Sequence, residues 1–373
     1  MLLTGLNDQL VALERAQRRR ELVPAAGRDF ASNDYLGLAR GDELGAAVRE
    51  ALERGVPVGS GGSRLLRGNH PEHEALEAEA ASFFGCESAL FFSSGYAANS
   101  SLLSTLPQRG DLIIHDALIH ASSHEGIRLA RAPSRPARHN DAQAFADELH
   151  AWRLNGGRGQ AWLVVESLYS MDGDKAPLAE LLSLAEDEGA FLVVDEAHAT
   201  GVFGNGGRGL AAEFANRENL IAVRTCGKAL GCEGAFVCAS RTIVDFLVNR
   251  SRGFSFSTAP SPLIAAAVRA ALKIVAADPG RQRNLHDLFG FAAACLKPFG
   301  IGYHGSQILP LVVGDAGATM ELARGLREAG FDVRGVRPPT VPENTSRIRI
   351  SITLNVDRQA IEGLAQAIGE RLG

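Results

Sequence analysis

Four short apolar runs dominate the middle of this chain: Leu112–His115, Trp162–Glu166, Phe191–Asp195 and Ile221–Thr225. The last three begin 29 and 30 residues apart, and the helical pattern Pro177–Glu188, stopped by Gly189, lies between two of them. Runs this short and this uniformly apolar suit strands covered on both faces. Strands separated by helices at that interval predict βαβ units, hence an α/β fold with a mostly parallel central sheet and helices on both faces. Gly234–Ala239 adds one more strand, read as an antiparallel return.

The flanks organise differently. Residues 6–20 read as a polar amphipathic helix, and Ala31–Leu38 as an extended arm. Asp42–Arg54 and Pro71–Phe84 follow as helices, the second with Pro71 at its first position and Gly85 as its stop. Ala89–Phe92 is a strand running into the turn Ser93–Asn99. A long helix from Ala259 to Ala277 is expected to lead out of the sheet domain. Beyond it, Met320–Ala329 and 357–372 are helical. Ser346–Leu354 alternates Ile348, Ile350, Ile352 and Leu354 with Arg347, Arg349, Ser351 and Thr353, the pattern of a half-buried antiparallel strand. The expected division is an arm over 1–38, a large α/β domain over 39–260 and a smaller C-terminal α+β domain over 261–373.

Composition narrows the function. A net charge of -5 gives no global basic field for nucleic acid or an anionic membrane, and Arg18-Arg19-Arg20 is too short to change that. The five cysteines are scattered without a CxxC pair, which argues against a disulfide framework or a zinc site and for a reducing compartment. The start lacks a basic segment before an apolar run, and Pro262–Ala277 is interrupted by Arg269 and Lys273. A cytoplasmic location, with no nucleic-acid or membrane partner, is the expectation.

The chemistry gathers at strand ends. Asp195 closes one apolar strand, and Lys228 follows the next, 33 residues later. A carboxylate for a protonated ring nitrogen and an amine for an aldehyde are what pyridoxal phosphate needs, because its ring must act as an electron sink. Ser94-Gly95-Tyr96 sits between a strand and a helix, where free N–H groups suit a phosphate. His120 follows the 112–115 strand and can lie flat on a ring. Ser170 follows the Trp162–Glu166 strand, His198 lies three residues past Asp195, and Thr225 closes the last strand. Taken singly, each has an ordinary reading: a loop histidine, a helix cap, a solvated lysine. Their convergence on the carboxyl ends of one sheet points to a shared ligand. His120 and His124 are four apart, but no HExxH pattern accompanies them, so no metal is expected. Gly204-Asn-Gly206-Gly-Arg-Gly209 formally fits GxGxxG yet begins nine residues after its strand, and reads as a flexible loop near the site rather than a dinucleotide cradle.

Asn33-Asp-Tyr-Leu-Gly-Leu38, Gly59-Ser-Gly-Gly-Ser63, Ser170-Met-Asp-Gly-Asp174, Asp195-Glu-Ala-His198 with Thr200-Gly201, and Thr225-Cys-Gly-Lys228 together resemble the α-oxoamine synthases. These are pyridoxal-phosphate enzymes of the aspartate aminotransferase-like fold type I, and the likeness spans nearly the whole chain. It implies that Lys228 is the Schiff-base lysine, Asp195 the partner of the pyridine nitrogen and His198 that of the ring hydroxyl. By the same resemblance His120 stacks on the ring, and Gly95, Tyr96, Ser170 and Thr225 contact the cofactor. Arg18, His120, Thr340 and Arg337 face substrate. Thr258 reaches the cofactor phosphate of a partner subunit in a homodimer. The compact length and the run Arg337–Pro342 favour the branch that condenses L-alanine with a pimeloyl thioester, carried on coenzyme A or a carrier protein. Siblings using glycine or serine, such as glycine C-acetyltransferase and serine palmitoyltransferase, are the alternative. Cys226, Cys232 and Glu233 beside the lysine, and Arg67, depart from the family's usual residues.

Overall fold

A computed structural model describes residues 2–372, which divide into two compact units. One comprises Leu36–Tyr169 and Lys175–Gln282; the other comprises Met1–Tyr35, Ser170–Asp174 and Arg283–Gly373.

The larger unit is built on seven strands: β1 (Ser88–Phe92), β2 (Leu112–Asp116), β3 (Ser134–Ala137), β4 (Ala161–Glu166), β5 (Phe191–Asp195), β6 (Leu220–Thr225) and β7 (Ala235–Ala239), in the spatial order β1-β7-β6-β5-β4-β2-β3. All neighbours from β6 to β3 are parallel, while β7 runs antiparallel to both β6 and β1. Two reversals cancel, so β1 points the same way as β6. The carboxyl ends of β1, β2, β4, β5 and β6 therefore share one edge.

Successive residues of each strand feed opposite cores. Ile113, Trp162, Val164, Val193 and Ile221 pack with Leu102, Leu103 and Leu247 on one face. Leu112, Ile114, Leu163, Val165, Leu192 and Val194 pack with Phe145, Leu149, Leu181 and Leu182 on the other. This is why the strands read as continuous apolar runs: both faces are covered by helices. Truncating one of these leucines to alanine costs about 2–5 kcal/mol.

The Pro71–Phe84 helix has the limits its sequence sets. Pro71 opens it, His70 and His73 form a capping box, and Gly85 ends it at φ 73°. The helix after Pro262 lies within this unit, which continues to Gln282. Pro262–Ala277 packs on Pro71–Phe84 and Asp42–Glu53, burying Ala265, Ala266, Ala267, Val268 and Ala271. Its small side chains allow close packing against two neighbours at once.

The smaller unit carries a three-stranded antiparallel sheet in which Ser346–Ser351 lies between Ile308–Gly314 and Arg334–Val336. The central strand corrects the half-buried expectation, because all six residues are buried. Arg347 pairs with Asp172. Arg349 donates to the Ser170 carbonyl (2.5 Å), Ser351 Oγ (2.6 Å) and Asn33 Oδ1 (3.1 Å). A buried guanidinium has five hydrogens to place, and these acceptors take its bonds. The N-terminal helix runs over Thr4–Arg15, so Arg18-Arg19-Arg20 lies beyond it rather than within it. Among the described residues no helix is long and apolar enough to cross a membrane.

Candidate active site

Asp195 ends β5 and is buried. Its Oδ1 accepts the Ala197 N–H (2.9 Å), and its Oδ2 accepts from Asn99 Nδ2 (2.7 Å). Asn99 belongs to the Gly95–Thr105 helix, whose first turn begins where β1 ends. The β1 end and the β5 end are thus tied by one side-chain bond. Asn99 also donates to Ser122 Oγ (3.0 Å), and Ser122 Oγ meets His120 Nδ1 (2.7 Å). Neither Asn99 nor Ser122 was singled out in the sequence.

His120 caps the Ala121–Leu129 helix, and its ring has a side open to solvent. Burial of its remaining faces lowers its pKa, Asp195 raises it and Lys228 lowers it further, for a net depression. Those opposing influences put the carboxylate and the amine within electrostatic range of the same imidazole.

Lys228 lies in the turn after β6, half-buried, with its carbonyl accepting from Gly231 N–H (2.9 Å). Two glycines let neighbouring segments close on this turn. Gly201, at φ 81°, leaves room where a Cβ would stand 2.6 Å from Ala229 Cβ. Gly231, at φ 63°, would place a Cβ 2.5 Å from the Ala39 backbone nitrogen. The Asp195–Gly201 segment and the lysine turn are therefore held side by side.

Thr225 is buried at the end of β6, its Oγ1 accepting the Gly227 N–H (3.3 Å). An ideal Cβ on Gly95 would lie 3.6 Å from that same Oγ1, which brings the β1 turn to the β6 end. Ser94 caps the helix by accepting the Ala97 N–H (3.1 Å), so the Gly95 and Tyr96 N–H groups occupy the first turn, where helical N–H groups lack helical partners. That terminus carries partial positive charge. His198 is buried three residues beyond Asp195.

A buried carboxylate, an amine, an imidazole with one open side and a helix N-terminus meet at one sheet edge. This donor set fits a flat, phosphorylated aldehyde with a basic ring nitrogen. Among the described residues no cluster of three or more His, Cys, Asp or Glu side chains is arranged to hold a metal. His124 packs edge-on against His115, with ring centroids 5.2 Å apart.

Other residues named from sequence lie elsewhere. Thr258 is exposed on the segment after the Arg252–Ser255 turn of helix, next to Phe256, which is 80% exposed. The Gly204–Gly209 loop is not the flexible flank expected. Gly209 lies against the Glu196 carboxylate, and the Arg208 carbonyl accepts from Arg224, so the loop is fastened to a buried ion pair.

The smaller unit holds Ser170, Arg18, Arg337 and Thr340. Ser170 is half-buried and offers its carbonyl to Arg349. Arg18 is taken up by Glu343 through two bonds of 2.6 and 2.7 Å. It is Arg20 that reaches Thr340 Oγ1 (2.9 Å). Arg20, Arg337 and Thr340 line a cavity of about 550 Å³ together with Met171, Met320 and Leu22. Burial and the Arg20 charge both lower the Arg337 pKa. The lining also includes Arg19, Arg327 and Arg334 against one acid, Glu21, so its charge is mainly positive.

Residues 27–368 match the family described as aminotransferase class I and II. An 8-amino-7-oxononanoate synthase from Geobacter sulfurreducens is 43% identical over 380 residues, covering 99% of this chain and 96% of the relative. Among solved structures, the 8-amino-7-oxononanoate synthase of Francisella tularensis is similar with a TM-score of 0.77, 28% identity and coverage of 93% of this chain and 98% of that one. A lysine-to-alanine variant of serine palmitoyltransferase from S. paucimobilis, with a bound pyridoxal phosphate–myriocin aldimine, is similar with a TM-score of 0.86 and 27% identity, covering 99% and 97%.

Proposed function

The chain belongs to the aminotransferase class I and II family, and from that premise we propose that it is a pyridoxal-phosphate-dependent 8-amino-7-oxononanoate synthase. It condenses L-alanine with a pimeloyl thioester, releasing carbon dioxide and the free thiol, as a step of biotin biosynthesis. The carrying observation is the sheet edge that brings Asp195, Lys228 and His120 together in a family member 43% identical to such a synthase.

When bound, pyridoxal phosphate supplies an electron sink for negative charge at the amino acid's α-carbon. Lys228 Nζ would hold the cofactor's aldehyde and, as a free amine, would take the α-proton. Asp195, fixed by Asn99 and the Ala197 N–H, holds the proton on the ring nitrogen. His198 would hold the ring hydroxyl. Gly95 and Tyr96 would offer N–H groups to the phosphate, with Thr225 as a further contact. His120 would cover the ring and orient the incoming acyl group. Holding opposite charges in a fixed, partly desolvated frame is the largest source of rate such a site can provide.

Within the smaller unit, the cavity lined by Arg20, Arg337 and Thr340 suits a carboxylate, with Met171, Met320 and Leu22 as apolar lining for a short methylene chain. The proposal moves Arg18 from this role to a support, since Glu343 already holds it. The enzyme acts as a homodimer, in which exposed Thr258 of one copy serves the cofactor phosphate of the other. A cytoplasmic location is part of the same reading, supported by five cysteines that form no disulfide.

A serine palmitoyltransferase activity is favoured by one observation, the higher TM-score of that structure. Backbone likeness does not separate siblings that share a fold. Identities of 27% and 28% to the two solved enzymes do not separate them either, whereas 43% to the Geobacter synthase favours alanine and pimelate. Product mass decides. Incubation with pimeloyl-CoA should yield 8-amino-7-oxononanoate from L-alanine and no comparable product from glycine or serine. A long-chain ketone from serine and palmitoyl-CoA would overturn the assignment.

A further inference from the structure

The bonds joining Asp195 to His120 have a direction. A carboxylate only accepts, so the Asn99 atom facing Asp195 Oδ2 at 2.7 Å has to be the amide nitrogen. That nitrogen carries two hydrogens and no lone pair to offer, so its second contact, 3.0 Å to Ser122 Oγ, is also a donation. Ser122 Oγ therefore accepts from Asn99 and has its own hydrogen left for His120 Nδ1 at 2.7 Å. The backbone N–H of Ser122 points at the same Nδ1 from 3.2 Å. A peptide N–H cannot turn round, and a hydrogen on Nδ1 would collide with it. The neutral ring must carry its hydrogen on Nε2.

We infer that Asn99 and Ser122 are positioning residues that lock His120 as the neutral Nε2–H tautomer, making it a hydrogen-bond donor at the site rather than a base. The tautomer stands on these four contacts alone. Only the acceptor, the thioester carbonyl of the acyl donor, rests on the proposed function. The charged and titratable groups around His120 are Asp195 at the end of β5, Lys228 after β6 and His124 one turn along its own helix. Asp195 favours the imidazolium, while Lys228, His124 and burial oppose it, so the neutral ring prevails near neutral pH. A proton abstracted from the amino acid then has Lys228 as its destination, with His120 left to polarise a carbonyl.

Long-range 15N–1H correlation spectra of 15N-histidine-labelled protein, recorded without cofactor or substrate, test this directly. His120 is assigned by the signal lost in His120→Asn. In the wild type, Nδ1 should show the unprotonated-type shift and Nε2 the protonated-type shift at neutral pH. Ser122→Ala removes one of the two donors that favour an unprotonated Nδ1, so the His120 titration midpoint should move upward. Ser122→Thr should restore it, and Asn99→Ala should move it in the same direction by less. A protonated Nδ1 in the wild type, or an unmoved midpoint in Ser122→Ala, overturns the inference. Neither outcome bears on whether the protein makes 8-amino-7-oxononanoate, which the product assay reads separately.

Discussion

Asp195 and Glu196 are adjacent carboxylates at the end of one strand, and the regions around them are built on opposite principles. Asp195 is satisfied by two neutral donors, the Asn99 amide and the Ala197 N–H. Such donors fill lone pairs without cancelling charge, so the site side keeps a negative field. Glu196, on the far side, is fully buried and pairs with Arg224 at 3.1 Å. It also accepts the Ala211 N–H at 3.0 Å, and Arg224 stacks over the Phe84 ring at 4.4 Å. Charge meets charge there, so the Glu196 carboxylate is countered by a guanidinium rather than by neutral donors. A carboxylate held by neutral partners is poised to bind, whereas one held by a sealed guanidinium fastens a loop to the sheet.

The sharpest way to break this contrast is to remove the cation on the sealed side. Arg224→Met leaves Glu196 buried beside an apolar chain, and the expected loss is about 3–5 kcal/mol by denaturant titration, because a stranded buried charge costs more than the pair contributes. Adding Glu196→Leu should recover much of it. A loss below 1 kcal/mol would mean the pair behaves like a surface bridge.

Next in size is Gly209→Ala. The added Cβ would stand 1.6 Å from Glu196 Oε2 on a backbone at φ 92°. Strain and displacement of the carboxylate together should cost roughly 2–3 kcal/mol. Thermal melting of the variant, with Gly206→Ala as a control whose Cβ meets nothing within 4 Å, isolates the contact from the backbone effect.

This loop also marks where the sequence stopped being informative. The parallel strands and the Pro71–Phe84 helix were legible because apolar runs, Pro71 and Gly85 act locally. The residues at the strand ends were legible as a set, since a βαβ sheet delivers its carboxyl ends to one edge whatever the loops do. Arg347 and Arg349 misled, because alternation with isoleucine normally marks a wet face. Their partners Asp172 and Ser170 lie more than 170 residues away, with no local trace. Asn99 and Ser122 were silent for the same reason, since a donor chain across three strand ends exists only after folding. Gly204–Gly209 looked flexible because glycine permits flexibility, yet here the glycines let the backbone approach a buried charge.

A smaller effect separates the two sides by the sign of their pH response. Burial raises the Glu196 pKa despite Arg224, so its contribution is fully present below the unfolded value of about 4.5 and declines as pH rises towards the folded value. His120 has a depressed pKa, so the folded state resists its protonation and loses stability as pH falls below the unfolded value of about 6.5. Removing the Glu196 titration should therefore make stability climb more steeply between about pH 5 and 7 in Glu196→Gln than in the wild type. Melting temperatures across that range provide the check, and a shallower slope in the variant would reverse the sign assigned to Glu196.

The smallest expected change in stability belongs to the residue with the largest expected role. In Asp195→Asn the amide oxygen can still accept from Asn99 or from the Ala197 N–H, so most of the local bonding survives and the fold should lose no more than about 1 kcal/mol. What disappears is the negative charge that would keep the cofactor ring nitrogen protonated. Exchange of the α-hydrogen of L-alanine with deuterated solvent, followed by NMR, should fall by at least about 100-fold while the protein still binds pyridoxal phosphate. Exchange at the wild-type rate would show that the neutral donors around Asp195 serve packing alone, and the two carboxylates would then differ in setting but not in purpose.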